Sequence, residues 1–421
     1  MKSLITTLFI ITTIALSGTA QSVTQHQSQS DMENAPPVID IAAMDYAYGM
    51  PTEIPAGWVT FRMTNMGKEE HVTIIDKVVD SLSIEQVRQI KGKALKKDFR
   101  IMQKYTKDRW GGPGILSPGR TGETTVYLEP GIYMMVCPLK TPEGTYHVTK
   151  GMMQEFVVKP IENETAKPVG TVNVTLSNFS IAADHPITAG RQIINVKWDD
   201  RNNHDLTITP LKEEQGLEDV RKWLEVLRAP SPFNFLGGVG HVDPDYESTF
   251  KVDLPPGRYA VFCHLHADFG EITELDVPES GGATLSTLTE PQGDIKIEAE
   301  GKMIDLPEQV ESGQWNFVVQ NNSEVPQMYV LSKMKESKTV KDLTDFYENI
   351  VLKGKMGSEI TVPPMHAVGL PIPPVKPGES REVSLRVYEG AYVLIGPLEP
   401  GVPFPKGWKR DIVHEFRGVE K

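Results

Sequence analysis

The sequence predicts an all-β protein built as tandem Greek-key β-sandwich domains, each with a short helical insertion, and three observations carry that prediction. Short runs of alternating apolar and polar residues recur along the chain, bounded by Pro-Gly or polar turns. One phrase occurs three times, as "GIYMMVCPLK" from residue 131, "GRYAVFCHLH" from residue 257 and "GAYVLIGPLE" from residue 390. Cys137 and Cys263 are the two cysteines of the 421-residue chain, one in each of the first two copies, and Gly396 takes their place in the third. A period of about 130 residues is too long for a solenoid and suits tandem domains.

The chain opens on "MKSLITTLFIITTIALSGTA", a lysine, an apolar run from Leu4 to Leu16 and a small-residue exit at Ala20, which is the pattern of a secretory signal peptide. A periplasmic or secreted protein is expected, with residues 21–35 as a disordered leader. No other stretch approaches the roughly 20 apolar residues of a membrane span. Three domains are expected at 36–162, 168–280 and 285–421, divided near "KPIENETAKPVG" and "VPESGGATLSTLTEPQG", both polar with Pro and Gly.

Within each domain three landmarks keep their order. The first is an alternating strand and polar turn, "GWVTFRMTNMGKEEHVTII", "RQIINVKWDDRNNHDLTIT" and "GQWNFVVQNNSEVPQMYVL". Six residues beyond Asn65, Trp198 and Asn321 stand His71, His204 and Gln327. The second is an amphipathic helix. In the first copy Ser83 and Gln86 form a capping box ahead of Val87 and Ile90; Leu217, Val220, Leu224 and Leu227 mark the second, and Val340, Leu343, Phe346 and Ile350 the third. These stripes suit packing against a sheet. The third landmark, "TTVYLEPGIYMMVC", "STFKVDLPPGRYAVFC" and "REVSLRVYEGAYVLIG", predicts an antiparallel hairpin about a Gly turn.

The formal charge of −13, from 43 basic and 56 acidic residues, argues against nucleic acid and equally serves to keep an exported protein soluble. In an oxidising compartment a disulfide between Cys137 and Cys263 is an alternative. Their equivalent places in separate domains favour two independent thiols.

A histidine on an early strand, a cysteine ending a late strand, then a histidine and a methionine in the next loop suit a mononuclear type 1 copper ion, for which a thiolate and two imidazoles form a trigonal set and a distant thioether tunes the potential. At these residues the chain resembles the cupredoxins, the plastocyanin and azurin superfamily, over nearly its whole mature length as three copies with the third degenerate. The resemblance implies His71, Cys137, His147 and Met152 as ligands in copy one, with Met153 as a neighbour able to substitute. Nine residues separate Cys137 from His147, where plastocyanin has two and azurin four. The insertion "PLKTPEGTY" either forms its own turn around Pro142–Gly144 and returns the histidine, or carries it away. In copy two the resemblance implies His204, Cys263 and His266, with Glu271 in the axial place; a carboxylate there favours the oxidised metal and a lower potential. His264 points to the other face of its strand and ranks below His266. Copy three lacks the ligands and is expected to be structural or a docking surface. His26, His185, His241 and His366 have no cysteine in register and read as structural or incidental.

The resemblance extends to multicopper oxidases and copper nitrite reductases. A trinuclear cluster needs about eight histidines as His-x-His pairs, and the chain has one such pair, His264 and His266, among ten histidines. Val136 and Phe262 precede the cysteines where a reductase would need histidine. The expectation is therefore no enzyme. It is an exported electron carrier, with His147 or His266 near the surface where a redox partner protein such as a cytochrome docks. A copper-delivery protein or a metal-free scaffold is the alternative. Oligomeric state is left open.

Overall fold

The structure, a computed structural model, describes residues 35–97, 99–161, 165–177, 179–199, 202–300, 303–346, 364–365, 370–398 and 413–420. The expected signal peptide, residues 21–34 of the leader, His366, Ile350 and most of the loop after Leu398 lie outside the described residues.

Three sandwiches follow one another. In the first, Ala47–Gly49, Val38–Met44, Gly57–Asn65 and Thr121–Leu128 face a sheet of Glu53–Pro55, Met153–Lys159, Gly131–Val136, Ile74–Val78 and Thr106–Arg109. In the second, Ser180–Ala183, Val172–Ser177, Gly190–Trp198 and Ser248–Leu254 face Gly237–Val242, His204–Pro210, Gly257–Phe262 and Ile272–Val277. The third repeats the plan, with Asp294–Glu300, Gly313–Asn321 and Ser380–Val387 facing Val413–Val419, Gly390–Leu398, Gln327–Lys333 and Leu370–Val375. Alternation explains the strands: Val59, Phe61 and Met63 of Gly57–Asn65 are buried on one face, while Trp58, Arg62 and Thr64 of the other face are partly exposed and Thr60 is covered.

The expected hairpin at the repeated phrase is a correction. Thr121–Leu128 and Gly131–Val136 lie in opposite sheets, as do Ser248–Leu254 and Gly257–Phe262, so the turn crosses the sandwich instead of pairing its flanking strands. The repeated Gly-x-Tyr supplies the reason. Tyr133 donates its hydroxyl hydrogen bond to the Glu129 carbonyl at 2.9 Å and Tyr259 to that of Pro255 at 2.6 Å, while in the third copy the Tyr388 N–H donates to the Tyr392 hydroxyl at 3.0 Å. Each is a tyrosine corner, a buried ring that ties the crossover to its own backbone. Gly131, Gly257 and Gly390 carry φ of 153°, 152° and 135°, which lets the chain turn the corner without a Cβ penalty.

The first helix, Ile84–Lys97, has the expected capping box: the Ser83 N–H donates to Gln86 Oε1 at 2.8 Å and the Gln86 N–H to Ser83 Oγ at 3.3 Å. The second, Leu217–Val226, goes beyond its own sandwich. Its Val220 and Trp223, with Phe233 and Phe235 just after, join one buried cluster with Met135, Cys137 and Leu139 of the first.

Two seams bind the first two sandwiches. Ser248 to Lys251 pair antiparallel with Val126 to Glu123, which makes one sheet of eight strands. On the other side the Gly111 N–H donates to the His241 carbonyl at 2.9 Å and the Gly240 N–H to that of Gly112 at 2.8 Å. A Cβ at Gly240 would lie 2.2 Å from the Thr73 carbonyl oxygen, so no side chain fits. Gly240→Ala is expected to destabilise the protein by about 1–3 kcal/mol. An unchanged midpoint in urea denaturation would contradict this account of the seam.

Candidate metal centres

His71, Cys137 and His147 converge although they come from three places: the turn after Gly57–Asn65, the end of Gly131–Val136 and the loop beyond it. All three are fully buried, and their ligand atoms lie within 4.8 Å of one another. Asn65 sets the first position, its side-chain amide donating to the Glu69 and Leu116 carbonyls, both at 2.8 Å, so that the turn carrying His71 is held. Asn321 does the same in the third sandwich, toward Val325 and Val375 at 2.8 Å each.

The long insertion returns its histidine. Lys140 bridges Tyr146, the Thr141 N–H donates to the Thr145 carbonyl at 2.8 Å and the His147 N–H to that of Leu139 at 2.8 Å, so "PLKTPEGTY" is a small hairpin that closes on itself. The second sandwich braces it, with the Lys140 N–H donating to the Leu227 carbonyl at 3.0 Å and the Ala229 N–H to that of Lys140 at 2.9 Å. Met152 is buried in the same core cluster as Cys137, and its carbonyl accepts the Cys137 N–H at 3.2 Å. Met153 packs in a separate cluster with Val87 and Met134, which removes it as a substitute.

A carboxylate lies beside each imidazole, and one of them is hydrogen-bonded. Asp45 Oδ1 lies 2.9 Å from His71 Nε2, and since a carboxylate only accepts, Nε2 carries the proton; His71 Nδ1, buried with no hydrogen-bond partner, keeps its lone pair. His147 Nδ1 is 3.5 Å from the Cys137 sulfur; its Nε2 lies 2.8 Å from Glu69 Oε2 without the alignment of a hydrogen bond, and both of those atoms are buried with no hydrogen-bond partner. Tyr46 donates to the other Glu69 oxygen at 3.0 Å. Burial, with His71 alongside, lowers the His147 pKa to about 4; burial also lowers that of His71 against the pull of Asp45. Burial pushes the Cys137 thiol up to about 12. At neutral pH the cluster thus offers two neutral imidazoles and a thiol that ionises only in favour of a cation.

The second cluster, His204, Cys263, His266 and Glu271, is buried throughout. His204 and His266 turn their Nδ1 atoms to within 3.2 Å of each other, Glu271 Oε2 stands 2.9 and 3.1 Å from them, and the Cys263 sulfur is 3.6 Å from His266 Nδ1. Glu271 occupies the place of Met152: its carbonyl accepts the Cys263 N–H at 3.0 Å, as that of Met152 accepts the Cys137 N–H. Burial opposes ionisation of Glu271, but His204 and His266 hold its pKa below the usual value. Burial, then the charges of Asp205 and Glu271, push the Cys263 thiol well up. Both cysteines are free, which removes the disulfide alternative.

In the third sandwich Gln327 is buried and accepts the Tyr329 hydroxyl at 2.6 Å, and a Cβ at Gly396 would lie 2.5 Å from the Tyr329 ring. That ring fills the space a cysteine would need. The domain instead covers the second cluster: Phe179 and Phe269 of the second sandwich join its core, Phe179 stands edge-on to His266 at 5.2 Å, and Arg221 stacks on Tyr388 at 3.6 Å.

Two expectations are overturned. The loop histidines do not reach the surface. His147 is fully buried beneath the Leu227–Ala229 segment of the next domain, and His266 is buried against Phe179 of its own sandwich, with Arg386 of the third domain packed at Gly270 in the same loop. The expectation that the chain is no enzyme also fails, since it rested on a shortage of grouped histidines. The fold brings His241 and His264 together with Asp205, near His204 and His266, so more histidines are grouped than that expectation allowed for. The His241 Nε2 lies 3.2 and 3.3 Å from the two His264 ring nitrogens and 3.5 Å from Asp205 Oδ2. Asp205 also accepts the His264 N–H at 2.7 Å and contacts His264 Nδ1. Sequence reasoning set His241 aside for want of a cysteine in register, and ranked His264 below His266 because it points to the other face of its strand.

Neither a family model nor a curated relative matches the chain. Solved structures do. An auracyanin of Roseiflexus castenholzii aligns at 20% identity over 30% of this chain and 98% of its own, with a TM-score of 0.19. The Cu-containing nitrite reductase of Thermus scotoductus SA-01 aligns at 12% over 92% and 100%, with a TM-score of 0.17, and a multicopper oxidase of Campylobacter jejuni at 10% over 88% and 89%, with 0.18. At such values the weight falls on the chain's own sheets and ligand order. On those grounds the chain has a fold of tandem cupredoxin-like sandwiches, and its first domain gathers His71, Cys137 and His147, with Met152 in the same buried core.

Proposed function

We propose that this protein is a copper redox protein that transfers electrons through a mononuclear ion held by His71, Cys137, His147 and Met152, with His204, Cys263, His266 and Glu271 holding a second. The observation that carries the reading is the convergence of buried groups whose lone pairs have no other use: His71 Nδ1 and Glu271 Oε1 are both enclosed without a hydrogen-bond partner. Two imidazoles, a thiol and a thioether suit a soft ion that alternates between two oxidation states, and bound copper would supply that one-electron chemistry.

The chain's own residues prepare the site. Asp45 fixes the His71 tautomer, the tyrosine corner and the braced hairpin hold Cys137 and His147, and the surrounding core excludes water. Little rearrangement of the ligands is then needed between oxidation states. Glu271 adds a second anionic ligand at the other site, which favours the oxidised ion there and sets the two potentials apart.

Copper titration of the purified protein tests the reading. An intense visible thiolate-to-copper band with reversible one-electron reduction is expected, and Cys137→Ser should abolish the part due to the first site. Copper uptake with no such band would point to delivery or storage, and no uptake to a metal-free scaffold. Either outcome would reject electron transfer.

A further inference from the structure

We propose that the turn carrying Met44, Asp45 and Tyr46, together with Met66 beside it, is the docking surface through which a basic electron-transfer protein reaches the first cluster. The proposal rests on the electron-transfer reading and adds to it the place and the kind of partner.

The second domain closes over His147, whose loop is held by the backbone of Leu227 and Ala229, so no partner touches that ring from that side. Among the described residues two rings pack on His147, His71 at 5.1 Å between centroids and Tyr46 at 4.9 Å. His71 is fully buried, whereas Tyr46 is only partly covered. Tyr46 is thus the ring that meets both the cluster and solvent. Its hydroxyl donates to Glu69 Oε1 at 3.0 Å, and the Lys68 N–H donates to Asp45 Oδ2 at 2.9 Å. These bonds tie the turn to residues 66–69 and hold the Tyr46 ring against His147.

The surface around that ring has the make-up of an interface centre. Ala43 and Asn65 are partners in the parallel pairing of their strands, and the Met66 N–H donates to the Ala43 carbonyl at 2.8 Å, which sets Met44 and Met66 side by side at the end of the sheet. They are 41% and 66% exposed, so neither serves a core, and two large apolar side chains left adjacent in water mark a place of contact. Tyrosine and methionine concentrate at interface centres, methionine because its unbranched chain refits to different partners. Charged side chains border the patch: Asp45, Lys68, Glu69, and Lys150, whose Nζ lies 5.4 Å from the Tyr46 ring centre. Two acids and two bases leave the rim neutral, whereas the chain as a whole carries −13 and draws a basic partner from a distance. One electron then passes from the partner's reduced cofactor to the oxidised ion by way of the Tyr46 and His147 rings. Neither ring is oxidised, no bond is made or broken, and no proton moves.

Docking and transfer are measured with a basic c-type cytochrome as the probe. Calorimetry on the copper-free full chain reads docking alone: Tyr46→Ala and Met66→Lys are each expected to weaken binding about tenfold or more, as changes at an interface centre do. Added salt should weaken it for every chain. Stopped-flow mixing of the copper-loaded protein with ferrous cytochrome then follows transfer through the thiolate-to-copper band. The second-order rate should fall by a similar factor in both variants, while Tyr46→Phe, which keeps the ring, should stay near the parent. Voltammetry of each variant separates a changed driving force from lost contact. An unchanged thiolate band reports that a variant is folded, and Met66→Lys carries the comparison if loss of the Tyr46 ring loosens the cluster. Affinity and rate equal to the parent in the folded variants would overturn the proposal, as would binding that strengthens with salt. Reversible copper reduction in the parent alongside such unaltered variants rejects this surface alone. A parent without the thiolate band rejects electron transfer, and this surface with it.

Discussion

Copper affinity at the Cys137 cluster is expected to rise about tenfold for each pH unit between pH 5 and pH 8, a change of roughly a thousandfold across the range. The sign follows from which proton the ion displaces. Burial holds the thiol pKa near 12, so throughout this range the free protein carries the proton and the loaded protein does not. One proton leaves per ion bound, and each step down in pH returns the competitor. His147, held near 4, is already neutral and adds nothing until the pH approaches that value, below which the slope should steepen. Competition titrations at pH 5, 6.5 and 8 measure the slope directly, and a pH-stat counts the released proton. A flat profile would mean that sulfur is not a ligand.

Asp45→Asn and Glu69→Gln are each expected to weaken copper binding at the same cluster by about 10–100-fold, and to raise the reduction potential. Asp45 hydrogen-bonds His71 Nε2 at 2.9 Å, and Glu69 Oε2 lies 2.8 Å from His147 Nε2 as a close charge without a hydrogen bond. A negative charge there stabilises the more positive oxidation state, so an amide of the same shape shifts the balance toward the reduced one. An amide can also turn its NH₂ toward the ring, which favours the other tautomer and puts the proton on Nδ1, the nitrogen whose lone pair an ion would need. Asp45 lies in an exposed turn, so its variant should fold normally. Voltammetry reads the potential and competition titration the affinity. A loss of affinity with no shift in potential would reduce these residues to a packing role.

Much of this was legible in the sequence because it depends on order and period. Alternation gave the strands, Ser83 and Gln86 gave a helix start, and the order His71, Cys137, His147 was enough to pick out side chains that meet in space. The path of "PLKTPEGTY" was open, since nothing local states that Leu227 and Ala229 of another domain will brace it. The crossing of the sandwich at each Gly-x-Tyr was missed because a short turn between two alternating strands has the same local pattern whether they pair or part. The seam cluster was least legible. Asp205 and His264 stood beside assigned ligands and so faced away from them, and His241 joins them through strand register and domain docking, which no short stretch of sequence encodes.

The eight-stranded sheet has a consequence for how the protein comes apart. Residues 36–280 should melt as one cooperative unit, because neither of the first two sandwiches can loosen without breaking the ladder from Ser248 to Lys251 against Val126 to Glu123. Severing the chain between them, near residue 161, and separating the pieces would strip that ladder and leave two raw edges offering unpaired N–H and C=O groups to any passing strand, so the fragments should aggregate where the intact chain does not.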